Sequence, residues 1–180
     1  MLVLVGESAS GKSSIEKYLV DNCGYNKIVS YTTRQPREGE VDGIDYHFVS
    51  VEQFESLKKQ GFFAEHAQYN SWHYGVAKED CTDDKVAVLT PHGLRQISKI
   101  DDINIISFYI NVPRRDRLIK ILQRGDSIEE SYRRNLSDVG MFDGIEDEVD
   151  FVIYNDGYNK SIEEMVEEIT REVLFQYIKN

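Results

Sequence analysis

Cysteine is scarce in this chain, with two in 180 residues. Cys23 and Cys81 are far apart and form no C-x-x-C pair, which excludes a disulfide framework and a thiolate metal site and leaves two free thiols as the expectation. Long apolar runs are missing too. No segment approaches the ~20 residues of a membrane span, and the first residues lead directly into a strand-like run with no basic region or cleavage signal, so neither membrane insertion nor export is expected and the cytoplasm is. Positive charge is in deficit: 21 Lys and Arg against 32 Asp and Glu give a net charge of −11. Such a chain repels nucleic acid and gains little from an anionic membrane. His47, His66, His73 and His92 lack metal-ligand spacing. No internal repeat and no low-complexity segment occurs. What remains, 41% hydrophobic and 29% charged residues, fits one domain over residues 1–180 with its own core.

Against this background the N-terminal region stands out. Gly6-Glu7-Ser8-Ala9-Ser10-Gly11-Lys12-Ser13 matches G-x-x-x-x-G-K-[ST] in full. It follows the apolar run Leu2 to Val5 and precedes the helical pattern Ser13–Asn22. Strand, glycine loop and helix is the context in which backbone N–H groups and a helix N-terminus cradle phosphate. Residues 6–14, through Ser14, are therefore expected to hold a nucleoside triphosphate, with Lys12 at its β- and γ-phosphates and the Ser13 hydroxyl on Mg²⁺.

Runs at Leu2–Val5, Lys27–Ser30, Val86–Leu89, Ile105–Ile110 and Phe151–Tyr154 read as strands covered on both faces. Helical patterns lie between them. Arg114–Arg124 is one, and the C-terminal segment carries Ile162, Met165, Val166, Ile169, Val173 and Tyr177 as one apolar stripe. Capping boxes are expected at Ser50/Gln53, Ser127/Glu130 and Ser161/Glu164. The alternation predicts an α/β fold with a five-stranded parallel core sheet flanked by helices. Residues 31–80 break it as a small mixed lobe, and 125–147 as a charged helical flap. The expected division is a core of 1–30, 81–122 and 146–180, a small mixed lobe at 31–80 and a helical lid at 123–145.

Arginines cluster locally at Arg34 and Arg37, at Arg114, Arg115 and Arg117, and at Arg124, Arg133 and Arg134. Local arginines in an acidic chain suit a small anionic ligand in a cleft, or pair with the surplus carboxylates. In the segment Ser30 to Gly43, two arginines three apart with nearby hydroxyls can grip a phosphate dianion by forked, charge-assisted hydrogen bonds. Tyr46 and Tyr74 add phenol donors.

That segment resembles the nucleotide-monophosphate site of guanylate kinases. The resemblance continues through Asp45-Tyr46-His47-Phe48-Val49, Gly61–Ala67, Tyr74-Gly75, Gln123-Arg124-Gly125 and Asn155-Asp156, in order along the whole chain. It implies a P-loop kinase fold and Mg²⁺-dependent transfer of the γ-phosphoryl of ATP to GMP or dGMP, by a monomer or homodimer. It further implies that Ser30, Arg34, Arg37, Tyr46 and Tyr74 hold the acceptor's phosphate. Glu65 would read guanine, whose N1–H and N2–H₂ present paired donors to one carboxylate. Arg124 and Arg134 would spread over the transferring phosphoryl group beside Lys12. Asn155 and Asp156 would edge the donor adenine.

The chain departs from the family pattern in four places. Val88 and Thr90 stand where an acidic pair is usual; Thr90 retains a hydroxyl for a base amine, and Asp101 and Asp102 are candidates to replace the missing acid near Mg²⁺ only by proximity in sequence. Val76 replaces a hydroxyl that donates to guanine O6. Asn135 precedes Leu136 where an arginine is usual, so Arg134 points about 100° round its helix from the expected direction. The segment from Tyr74 to Gly93 is short. Together these predict a working kinase with relaxed or altered base selectivity. Two other readings follow from the same residues: a kinase for another phosphorylated acceptor, such as a different deoxynucleotide or a ribose bisphosphate, and a catalytically silent binding module. An intact Lys12 and Ser13 argue against the last.

Overall fold

The computed structural model describes residues 1–69, 71–123 and 128–179. Its central sheet has five strands, all parallel: β1 (Leu2–Val5), β2 (Asn26–Lys27), β7 (Lys85–Val88), β8 (Ile106–Asn111) and β9 (Phe151–Tyr154), in the order β2-β7-β1-β8-β9. β1 lies at the centre with every residue buried. Side chains alternate across a strand, and β1 feeds two cores. Leu2 and Leu4 pack with Ile15 and Leu19 of α1 (Lys12–Asn22) and with Met165, Val166, Ile169 and Val173 of α6 (Ile162–Lys179). Val3 and Val5 pack on the opposite face with Leu94 and Ile97 of α3 (Pro91–Ile97), Tyr109 and Ile145. The unbroken apolar run that marked β1 in the sequence is thus a strand covered on both faces.

Two expectations shift. β2 ends at Lys27 rather than at Ser30, because the chain leaves the core sheet there: Ile28 still donates to Val86 O, but the Ser30 carbonyl already accepts from His47 N–H of a second sheet. The apolar stripe of α6 ends at Val173, and Tyr177 is 53% exposed. The Ser161 box forms, with Glu164 N–H donating to Ser161 Oγ and Ser161 N–H to the Glu164 carboxylate.

The second sheet is mixed. It contains β3 (Tyr31–Thr32), β4 (His47–Phe48), β5 (Phe63–Tyr69) and β6 (Trp72–Ala77) in the order β4-β3-β6-β5, with β3–β4 parallel and the other pairs antiparallel. Helix α2 (Val51–Lys59) opens on the Ser50/Gln53 capping box and inserts Phe54, fully buried, 4.4 Å from the Phe63 ring centroid and 5.2 Å from that of His73. Helices α4 (Arg114–Gln123) and α5 (Ile128–Asp138) follow β8. Ser127 and the Glu130 side chain, the third expected capping box, lie outside the described residues. Among those residues no helix is long and apolar enough to cross a membrane.

Candidate functional site

The phosphate loop joins β1 to α1 at the carboxyl edge of the core sheet, where an open parallel sheet leaves a crevice. Its shape explains its glycines. A Cβ on Gly6 would stand 2.6 Å from Ser10 Oγ and 2.9 Å from Ile110 O, and Gly11 has φ of 101° at the start of α1. Ala9 adopts φ of 67° without being glycine, a strained setting typical of functional loops. Ser10 is fully buried. Lys12 reaches back across the loop, its Nζ donating to Glu7 O at 2.7 Å and to Ser10 Oγ at 3.2 Å. Ser13 and Ser14 are exposed on the first turn of α1.

Two of the clefts beside the loop also touch the second sheet. One, of about 450 Å³, is lined by Gly6, Ser8 and Lys12 on the loop, by Arg37 and Tyr74 from the second sheet's side, by Thr90, and by Arg133 and Ser137 of α5. The other, of about 350 Å³, is lined by Ser13, Glu16, Ser30, Asp45, Tyr46 and Val76 among others. Val88 and Leu89 line both. Of the residues expected at the acceptor phosphate, Ser30, Arg37, Tyr46 and Tyr74 line these two clefts together with Lys12 and Ser13, and Arg34 lines neither.

Arg34 differs from Arg37. It is 6% exposed, and its fork is closed on Glu40, with Nη1–Oε2 at 2.9 Å and Nη2–Oε1 at 2.8 Å; Nη1 also donates to Gln35 O. Glu40 further accepts from Arg37 N–H at 2.7 Å. The Arg34 guanidinium lies 5.3 Å from the Tyr46 ring centroid. Burial raises the Tyr46 phenol, assisted by Tyr74, which keeps it a proton donor at neutral pH.

Glu65 sits on β5 at a slip in register: Phe63 pairs with Ala77, but Glu65 pairs with Val76. Such a bulge re-aims a side chain. Here it leaves the Glu65 residue 7% exposed, one carboxylate oxygen 3.0 Å from where a Cβ would sit on Gly93. Among the described residues nothing donates to this carboxylate. Burial alone lifts its pKa to about 7. Thr90 caps α3, its Oγ accepting from Gly93 N–H at 3.1 Å. Its side chain lines the cleft of about 450 Å³.

Other expected residues lie differently. Arg124 and the side chain of Arg134 fall outside the described residues. Asn155 is 2% exposed and turns inward: Oδ1 accepts from Lys160 N–H, and Nδ2 donates to Lys160 O and to Met165 Sδ. It shapes its turn from within. Asp156 is exposed beside it. A cleft of about 320 Å³ near this turn is lined by Asp116, Lys120, Gln123, Gly157 and Tyr158. Tyr158 donates from its hydroxyl to Ala9 O of the loop at 2.8 Å. Asp101 and Asp102 are ruled out as loop neighbours. They precede β8, whose first residue Ile106 pairs with Leu2 at the sheet's amino edge, whereas the loop follows Val5 at the carboxyl edge. The acidic residues that share a cleft with Ser13 are Glu16, one helical turn on, and Asp45. Among the described residues no three His, Cys, Asp or Glu side chains cluster to hold a metal ion by themselves.

Sequence reasoning missed Glu40, Glu16, Arg133 and Asp138. The Ser8 N–H donates to the Asp138 carboxylate at 2.9 Å across 130 positions of sequence, and no local signal announces such a contact. Arg133 stood in the arginine cluster, and its place on the cleft wall depends on the orientation of α5.

Known proteins resemble the chain in sequence and in fold. The family model described as guanylate kinase matches residues 1–172. The guanylate kinase of Nitrosococcus oceani is 32% identical over 166 residues, covering 88% of this chain and 81% of that one. The guanylate kinase of Nitratidesulfovibrio vulgaris is 40% identical over 145 residues, covering 76% and 70%. The crystal structure of guanylate kinase from Anaplasma phagocytophilum superposes with a TM-score of 0.68 at 25% identity, covering 98% of this chain and 85% of that one. A family match over residues 1–172, relatives more than 30% identical over most of their length and a shared fold lead to one conclusion: the chain belongs to the guanylate kinase family.

Proposed function

We propose that the chain is an ATP-dependent kinase that phosphorylates GMP or dGMP, acting on small-molecule nucleotides in the cytoplasm as a monomer or homodimer. The observation that carries the reading is the cleft lined on one side by Lys12 and on the other by Arg37 and Tyr74. A triphosphate on the loop and a monophosphate at Arg37 would meet there end to end. Residues 31–80 form the acceptor-binding lobe, 123–145 the lid, and the remainder the core.

Transfer is in line. An oxygen of the acceptor's phosphate forms a new P–O bond to the γ-phosphorus as the bond to the β–γ bridging oxygen breaks, and ADP leaves with that electron pair. No covalent enzyme intermediate is required. The protein positions the two phosphates and stabilises spreading negative charge. The backbone N–H groups of residues 6–14 cradle the donor phosphates. Lys12 leaves Glu7 O and Ser10 Oγ for the β- and γ-phosphates. Arg133, which lines the cleft, joins Arg124 and Arg134 as the arginines assigned to the transferring group. The donor set near Ser13 fits Mg²⁺ arriving with the triphosphate, since this ion keeps several waters and takes few protein ligands. The Ser13 hydroxyl would touch it, and the ion would neutralise charge between the β- and γ-phosphates.

On the acceptor side, Arg37, Tyr46, Tyr74 and Ser30 hold the phosphate. Arg34, locked on Glu40, backs the Tyr46 ring and contributes charge from behind. Glu65, ionised, accepts from guanine N1–H and N2–H₂, and binding replaces its missing partners. Thr90 offers its hydroxyl at the cleft rim. Asn155 and Asp156 shape the turn that edges the donor base. Val76 and Val88 bring no polar group to the base, which leaves Glu65 as its main reader and relaxes selectivity. IMP keeps N1–H and lacks only the N2 amine. One lost hydrogen bond of ~1–3 kcal/mol makes it about 5- to 150-fold poorer than GMP.

The test is product identity. With ATP, Mg²⁺ and GMP, phosphorus NMR should show GDP and ADP forming one for one. ADP and inorganic phosphate without GDP would refute the reading.

A further inference from the structure

A set of nearly buried charges ties the phosphate loop to α4 and α5. Arg117 of α4 donates from Nη2 to Glu7 Oε1 at 3.1 Å and from Nε to Val112 O at 3.0 Å. Its Nη1 lies 3.5 Å from both Ser8 O and Asp138 Oδ2. Tyr109 donates its hydroxyl to Glu7 Oε2 at 2.9 Å. Asp138, the last residue of α5, receives the Ser8 N–H on Oδ2 at 2.9 Å and the Ser8 hydroxyl on Oδ1 at 3.3 Å. The side chains of Arg117, Glu7 and Asp138 are 6%, 13% and 12% exposed. Burying such groups gains little stability, so their value lies in fixing one arrangement. An acid inside an anion-binding loop would repel a triphosphate, and Arg117 with Tyr109 holds the Glu7 carboxylate in place. Asp138 also lines the cleft that Lys12, Arg37 and Tyr74 share. On the same helix, Arg133 and Ser137, four residues apart and hence on one face, line that cleft too.

We propose that Asp138 is a positioning residue that docks the C-terminal end of α5 on Ser8 of the phosphate loop, so that Arg133 is carried into the catalytic cleft. Arg117 is its counter-ion and joins the dock to Glu7. The inference rests on the kinase reading and adds to it how the distance between loop and α5 is set.

A double-mutant cycle with D138A and R133A tests this. D138A should lower kcat about 10- to 100-fold while KM for GMP stays within about threefold, because Glu65 and Arg37 lie on other elements. In an R133A background, D138A should change kcat by less than about twofold, since a residue acting through Arg133 has nothing left to position. Additive losses, or an unchanged kcat in D138A, would overturn the proposal. A second readout needs no turnover. Spin labels at Cys23 and at Y132C, in a Cys81→Ala background, report the distance from α1 to α5; both labelled positions are exposed. D138A should broaden or shift that distance. An unchanged distribution sinks the dock, whereas absence of GMP turnover in the unsubstituted chain sinks the kinase reading and leaves the distance to decide the dock.

Discussion

On the proposed reading Lys12 and Glu65 carry the chemistry at the scale of single residues, and they are tuned in opposite ways. Lys12 is held by acceptors of its own loop that a triphosphate can replace. Lys12→Ala should lower kcat about 100- to 1,000-fold, as loss of one preorganised transition-state donor does, with a thermal midpoint near that of the parent. A folded K12A at full turnover would contradict the mechanism. Glu65 is buried with no donor among the described residues, and burial raises its pKa to about 7 from an ordinary 4.5. The folded chain therefore holds a proton there that the unfolded chain has released. Stability from this group is complete below about pH 4.5 and is lost as pH rises through about 7, by at most ~3 kcal/mol. Glu65→Gln removes the titration, so its stability relative to the parent should grow between pH 5 and pH 8 in urea unfolding; an equal difference at both pH values would show that the carboxyl does not titrate there. Guanine needs the ionised form. KM for GMP should fall as pH rises through about 7 in the parent and stay flat, and high, in Glu65→Gln.

Among the elements, α2 supports the acceptor side from a distance. Phe54 fills the space under β5 and stacks on Phe63, two residues before Glu65. Phe54→Ala should destabilise the chain by about 3–5 kcal/mol and raise KM for GMP more than KM for ATP; equal effects on both would separate α2 from the acceptor site. Elements also show where sequence reading works. The phosphate loop and β1 were legible because their constraints are local: an apolar run, fixed glycines, then a helix. The Ser50 and Ser161 capping boxes were legible for the same reason. The end of β2 was not, since what stops it is the pull of Ser30 into another sheet. Nor was the closure of the Arg34 fork on Glu40, because spacing shows that two arginines are near one another and not which carboxylate one of them prefers. The Glu65 bulge depends on one extra residue against β6, and the Ser8–Asp138 contact on how α5 packs.

As a whole molecule, the chain gathers scattered basic residues around a crevice in an acidic body. Net charge is −11, yet Lys12, Arg37 and Arg133 line the same cleft. Concentrating positive charge in a low-dielectric cleft focuses the field on small anions while the bulk repels large ones. Family membership gives the reaction its class, and Val76 and Val88 line the cleft with no polar side chain. The measurement that tests the central claim most directly is the initial rate of ADP release with ATP and Mg²⁺ across GMP, dGMP, IMP, AMP, CMP, UMP and dTMP, with no-acceptor and Lys12→Ala controls. The account predicts the highest rates with GMP and dGMP, a measurable rate with IMP, little with AMP and pyrimidine nucleotides, and none in Lys12→Ala. Silence across all seven acceptors, or a preference for one that lacks the N1–H donor of guanine, would contradict it.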